Sequence, residues 1–158
     1  MIQTLVTYFS ASGVTKALAE RLADGVGGTL YEIAPKEPYS DADLNWMDKQ
    51  SRSTLEMKDL SARPALSDHD APVADFDIIF IGFPIWWYRE PSIIDTFLEA
   101  YDFTGKTIIP FATSGGSALG KAPARMAELS HATVLPGKRF PAKASERELK
   151  DWVRSLPI

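Results

Sequence analysis

The sequence has no cysteine among its 158 residues. That excludes disulfides, thiolate metal sites and a cysteine nucleophile together. Histidine is nearly absent too, with only 2 in the chain. His69 and His131 stand far apart, in no metal-type spacing. Both read as structural or solvent-exposed, His131 at a helix end where the dipole favours a cation. An excess of basic charge is lacking: 17 Lys and Arg face 21 Asp and Glu, for a net charge of −4. This balance argues against nucleic acid as a main partner. No apolar run is long enough to span a bilayer. Met1-Ile2-Gln3 leads straight into a strand pattern without the basic and apolar regions of a signal peptide. A cytoplasmic protein with no membrane partner is the expectation.

What is present is ordinary for a globular chain: 45% apolar and 24% charged residues. The length suits a single domain over residues 1–158 with a real core. Strand-like and helix-like patterns alternate. The apolar run Ile2 to Phe9 holds a first strand, Leu5 to Phe9. Val14, Ala17, Leu18 and Leu22 recur at helical spacing, with Gly25, Gly27 and Gly28 as the stop. Thr29 to Ile33 is a second strand. Asp77 to Gly82 is a third, continuously apolar at its centre, as in parallel strands covered on both faces. Pro91 opens a helix with Ile93, Ile94, Phe97, Leu98 and Tyr101 on one face. Thr107 to Phe111 is a fourth strand. A helix with Leu119, Ala122, Met126 and Leu129 follows, in which either Pro123 sits in the first turn or the helix starts later. Thr133 to Leu135 is a short fifth strand. Ser145 and Glu148 form a capping box before Leu149, Trp152, Val153 and Leu156. Between Pro35 and Pro72 the chain makes a long excursion, read as a helix capped by Ser40 and holding Leu44, Met47 and Leu55. Its charges read as a solvated helix face, with Arg52 or Glu56 in reach of a substrate. The alternation predicts a doubly wound α/β fold, a three-layer sandwich around a five-stranded parallel sheet.

In such sheets ligands bind beyond the carboxyl ends of the strands. Three predicted loops lie there. Ser10-Ala11-Ser12-Gly13-Val14-Thr15 joins the first strand to a helix N-terminus, whose unpartnered N–H groups and dipole favour an anion. Ser10, Ser12 and Thr15 add hydroxyls, Gly13 permits close approach, and no Lys or Arg lies inside the loop, so neutral donors are expected to hold a phosphate. Phe83-Pro84-Ile85-Trp86-Trp87-Tyr88 offers flat aromatic surface, with core packing or a protein interface as the other reading of its Trp residues. Thr113-Ser114-Gly115-Gly116-Ser117 offers flexible backbone. A ligand with a phosphate at one end and a planar ring at the other fits all three.

These loops resemble those of flavodoxin-like FMN-binding proteins, and in particular a short branch of them. Ser10 to Thr15 looks like the phosphate loop (Ser/Thr)-x-(Ser/Thr)-Gly-x-Thr. Gly82 to Trp87 looks like the loop that flanks the isoalloxazine. The resemblance covers essentially the whole chain. It implies strand order 2-1-3-4-5 and a non-covalent FMN. The implied FMN contacts are Ser10, Ala11, Ser12, Gly13, Val14 and Thr15; Pro84, Ile85, Trp86 and Trp87; and Thr113, Ser114, Gly115 and Gly116. No catalytic side chain and no metal are implied. The chain departs from acidic electron-carrier flavodoxins in its neutral third loop without an aromatic residue, and in Arg89 and Lys121 after the second and third loops. Cations there would stabilise a reduced, anionic flavin, so a less negative potential is expected.

The leading reading is a redox protein that carries electrons through this flavin to a partner protein. An NAD(P)H-dependent reductase of quinones or similar small acceptors is the alternative, and a non-redox phosphate-binding domain a second one. A homodimer sharing a flavin site would suit the Trp residues and the 35–72 excursion. Other phosphate binders lack their signatures here. There is no Gly-x-x-x-x-Gly-Lys-(Ser/Thr), and no Gly-x-Gly-x-x-Gly after the first strand. Tyr8, Phe9 and Ser10 stand where a receiver domain needs acids.

Overall fold

The computed structural model describes residues 3–114 and 116–158. Ile2, at the start of the first apolar run, and Gly115 of the third loop lie outside the described residues. The elements follow in the order β1 (Thr4–Tyr8), α1 (Val14–Val26), β2 (Thr29–Glu32), α2 (Arg52–Lys58), β3 (Ile78–Pro84), α3 (Ser92–Ala100), β4 (Thr107–Thr113), α4 (Ala122–Ser130), β5 (Thr133–Val134), β6 (Lys138–Phe140) and α5 (Glu146–Ser155). All strand pairs are parallel, in the expected order β2-β1-β3-β4-β5.

Alternation along the central strands feeds two cores, one on each face of the sheet. Val6, Phe80, Ile109 and Phe111 pack with Leu18 and Leu22 of α1 and Leu149 and Trp152 of α5. Leu5, Ile79, Ile81 and Ile108 pack with Ile93 and Phe97 of α3 and Met126 of α4. This is why β3 reads as an unbroken apolar run and why Thr4 and Thr7 of β1 are buried with their apolar neighbours. β2 lies at the sheet edge and is mostly exposed.

Three expectations are corrected. The fifth strand is split. β5 and β6 both pair with β4, and the break at Leu135-Pro136-Gly137 faces Pro110. Leu135 N donates to the Ile108 carbonyl at 3.0 Å, but Pro110 has no N–H to continue the ladder. Gly137 crosses that point at φ 74°, where an added Cβ would stand 2.3 Å from the Pro110 carbonyl oxygen. The chain re-enters the sheet as β6, which the sequence pattern does not reveal.

The second correction is the excursion. Its helix is α2, capped by Ser51, whose hydroxyl accepts from Thr54 N. Ser40 caps only a turn, accepting from Asp43 N at 3.1 Å. Asn45 and Asp48 accept from the backbone N–H two residues on. Such local bonds compete with helix formation, so Met47 stays outside the helix and exposed. The third is α4, which starts at Ala122 with Pro123 in its first turn and leaves Leu119 in the preceding loop.

Candidate functional site

At the carboxyl edge, the strand order reverses between β1 and β3, which opens a crevice there. Three loops surround it. The first begins where β1 ends. Gly13 turns the chain at φ 92° into α1, and no side chain caps the helix. Its first N–H groups are therefore left to solvent or a ligand. Gly13 N donates to Ser10 Oγ at 3.0 Å, so the Ser10 hydroxyl proton is free to point elsewhere. Ser12, Gly13 and Val14 are exposed, while Ser10 and Ala11 are half-buried.

Thr15 differs from expectation. Its hydroxyl is buried and lies 2.8 Å from the Thr113 hydroxyl. The side chain ties the first loop to the third. In the third loop Ser114 Oγ donates to the Ser117 carbonyl at 2.7 Å and accepts from Gly116 N at 3.3 Å. Gly116 is exposed, with open space where a Cβ would stand.

The second loop leaves β3 and turns back on itself. Trp86 and Arg89 exchange backbone hydrogen bonds at 3.1 Å, and Trp87 and Tyr88 between them both have positive φ, 47° and 63°. Two non-glycine residues in the left-handed region make a turn that costs about 1–2 kcal/mol per residue. That strain holds Trp87 and Tyr88 outward, 42% and 71% exposed. Trp86 goes the other way. It stands edge-on to Phe9 and Tyr39, with centroids 5.6 and 5.5 Å apart. Consecutive tryptophans thus take different roles, one as wall and one as rim. Pro84 and Ile85 are half-buried beside them.

The excursion supplies Tyr39 and Trp46, which the sequence reading missed, beside the Arg52 and Glu56 it had named. Tyr39 donates its hydroxyl to Glu56, and the Arg52 guanidinium lies 3.9 Å over its ring. Arg52 also donates to Glu56 at 3.0 Å. Burial first, and then Glu56, raise the Tyr39 phenol well above its ordinary range. Arg52 and Glu56 are therefore engaged with each other and with the aromatic wall. Trp46, 71% exposed, lines the same cleft as Trp86. No periodicity marks Trp46 or Tyr39; only the chain's return across the sheet edge brings them here.

Together these elements enclose an aromatic cleft of about 430 Å³, with Ser12 and Ala11 at one end and Trp46, Trp86 and Trp87 around it. A second cleft of about 460 Å³ lies beside the start of α1, lined by Ser12, Val14, Thr113, Ser114 and Arg139. Ser12 belongs to both. One side is flat and apolar, the other offers open N–H groups, hydroxyls and one guanidinium, within the usual size of small-molecule sites.

Arg89 does not act as the free cation expected. It is buried and donates to the Met57 carbonyl at 3.1 Å and the Glu90 carbonyl at 3.1 Å. Its charge meets the Asp95 carboxylate at 3.6 Å and Glu90 at 3.9 Å. Arg125 reaches the same two carboxyl groups at 2.9 and 3.3 Å. Buried among these partners, Arg89 is not an open cation of the cleft. Both histidines are exposed. Among the described residues, no group of three or more His, Asp or Glu side chains gathers as metal ligands, and no helix is long and apolar enough to cross a membrane.

A family model described as flavodoxin matches residues 3–156. Among solved structures, a candidate flavoprotein from Bacteroides uniformis ATCC 8492 is 45% identical, with a TM-score of 0.91, over 98% of this chain and 99% of that one. Another from Bacteroides eggerthii DSM 20697 is 40% identical, with a TM-score of 0.90, over 99% and 98%. A flavoprotein in complex with FMN from Lactobacillus acidophilus NCFM shares the fold at 23% identity and a TM-score of 0.73, over 97% and 99%. No curated protein matches the chain.

Proposed function

The chain belongs to the flavodoxin family, and from that premise we propose that it is a redox protein carrying electrons through a non-covalently held FMN. One observation carries the reading: an uncapped helix N-terminus and an aromatic cleft meet at Ser12, on the crevice between β1 and β3. The donors present fit the cofactor. The α1 N–H groups with Ser10 and Ser12 suit its phosphate. Trp86, Trp87 and Tyr88 suit its ring, with Pro84 and Ile85 as the floor. Thr113, Ser114 and Gly116 close the third side, and Gly115 belongs to the same loop.

Bound FMN supplies one- and two-electron chemistry from its isoalloxazine. The chain's own residues bind it, orient it and keep water from one face. Trp86 is fixed by Phe9 and Tyr39 and sets the wall. Trp87 and Tyr88 form the rim where a partner or acceptor would approach.

A second reading, NAD(P)H-dependent reduction of a quinone or similar small acceptor, is favoured by Trp46. It adds an exposed apolar surface to the cleft that Trp86 lines, suited to a planar guest.

The test is the visible spectrum of the purified protein before and after adding FMN. Flavin bands that survive desalting, with quenched fluorescence, are expected. No bands and no change on titration would sink the flavin reading and leave a non-redox phosphate ligand. With bands present, NAD(P)H consumption with a quinone and no partner reductase would favour the second reading. Reduction only through a partner reductase would favour the carrier.

A further inference from the structure

We propose that Arg139 is the cation of the phosphate end of this site, and that it makes the chain select a phosphorylated flavin over riboflavin. The inference rests on the flavin reading above and adds a residue to it that neither the loop motif nor its spacing contains.

The loop 10–15 holds no Lys or Arg, so a phosphate bound by that loop alone would keep its charge uncompensated. The fold changes this. Arg139 sits on β6, and β6 pairs with the last residues of β4 in the register Ala112↔Arg139 and Thr113↔Phe140. That pairing brings the guanidinium to the carboxyl edge, into the same cleft as Ser12, Val14 and Ser114. Val14 is the first residue of α1, so the guanidinium shares its cleft with the open helix end.

Three further facts mark Arg139 as available for an anion. It is half-buried, so its field is screened less than that of a surface lysine. Its one side-chain hydrogen bond among the described residues is a long one, from Nη1 to the Ser114 carbonyl at 3.4 Å. That contact orients the group and does not neutralise it. Among the described residues, no carboxylate stands within ion-pair distance of it. The contrast with Arg63, Arg89 and Arg125, each paired with Asp95, is plain. A planar guanidinium beside free N–H groups is suited to bidentate recognition of a phosphate.

The inference separates phosphorylated from unphosphorylated ligand, because the aromatic cleft at the other end of Ser12 does not involve Arg139. The experiment is titration of the flavin-free protein with FMN and, separately, riboflavin, followed by flavin fluorescence, for the wild type, Arg139→Gln and Arg139→Lys. Arg139→Gln is expected to weaken FMN roughly ten- to hundredfold, the span of one charge-assisted hydrogen bond, and to leave riboflavin within about twofold. Arg139→Lys keeps the charge without the fork and should fall between. Added salt should weaken FMN more in the wild type than in Arg139→Gln. Unchanged FMN affinity in Arg139→Gln overturns the inference while the flavin reading stands, and so does an equal loss for FMN and riboflavin. A wild type that binds neither flavin overturns both.

Discussion

The hydroxyls of Thr15 and Thr113 lie 2.8 Å apart, both buried, and join the start of α1 to the end of β4. The two residues are 98 positions apart in the chain. Their contact fixes how far the first loop stands from the third. Replacing one partner leaves the other's oxygen buried without a bond, at a cost of about 1–3 kcal/mol. Thr113→Val is expected to destabilise the flavin-free protein by that amount in a denaturant melt. The double variant Thr15→Val with Thr113→Val should lose less than the sum of the two singles, because neither polar group is then stranded.

Glu90 and Asp95 share the Arg125 guanidinium at 3.3 and 2.9 Å. Burial first, and the neighbouring Asp95 next, push Glu90 from its ordinary 4.5 up to about 8. The folded chain therefore keeps a proton on Glu90 in a range where the unfolded chain has released it. Stability contributed this way is full below pH 4.5 and falls as the pH rises toward about 8. Asp68 and Glu99 act in the opposite sense and at lower pH. Hydrogen bonds from Tyr31 and Arg63 hold them below their ordinary range. Denaturant midpoints measured across this window should slope downward in the wild type and flatten in Glu90→Gln. An unchanged slope in the variant would refute the assignment.

Trp86 and Trp87 are adjacent yet should respond differently. Trp86 packs on Phe9 and Tyr39, so Trp86→Leu should lower stability by about 2 kcal/mol, below the range for a fully buried ring. Trp87 is 42% exposed, so Trp87→Leu should leave stability within about 0.5 kcal/mol. It should also reduce the quenching of bound flavin fluorescence. Melts and emission spectra of the two variants decide the matter, and equal loss of stability would remove the distinction between wall and rim.

Gly137 meets two constraints together, a φ of 74° and the Pro110 carbonyl oxygen 2.3 Å from where a Cβ would be. The obstacle is backbone and cannot rotate away. Gly137→Ala should cost about 2–4 kcal/mol, read as a lowered melting temperature. By displacing β6 it should also weaken FMN more than riboflavin, as Arg139→Gln does.

Much of the molecule was legible in the one-dimensional pattern. The apolar runs of β1 and β3, the helical spacing in α1 and α3, and the Ser145 cap of α5 are local signals, and local energetics suffices to set them. The three loops at the carboxyl edge were legible for the same reason, since each follows a strand that the pattern marks. β6 was not. Three residues of charged and aromatic type carry no periodicity, and the strand exists because Pro110 interrupts the ladder and Gly137 lets the chain resume it. The helix expected after Ser40 failed because Asn45 and Asp48 bond their own backbone, a competition that hydrophobic spacing does not register.

The sequence by itself determined a doubly wound sheet, a hydroxyl loop ending at an open helix, and an aromatic segment after the third strand. These follow from hydrophobic period and turn chemistry within short windows. Only the tertiary structure decided which groups serve the site. It buried the Thr15 hydroxyl against Thr113, enclosed Arg89 beside Asp95 and Glu90, turned Trp86 inward and Trp87 outward, and carried Arg139 to the end of α1. Each depends on contacts between residues far apart in the chain, where burial and charge compensation are set by the fold and not by neighbours in sequence.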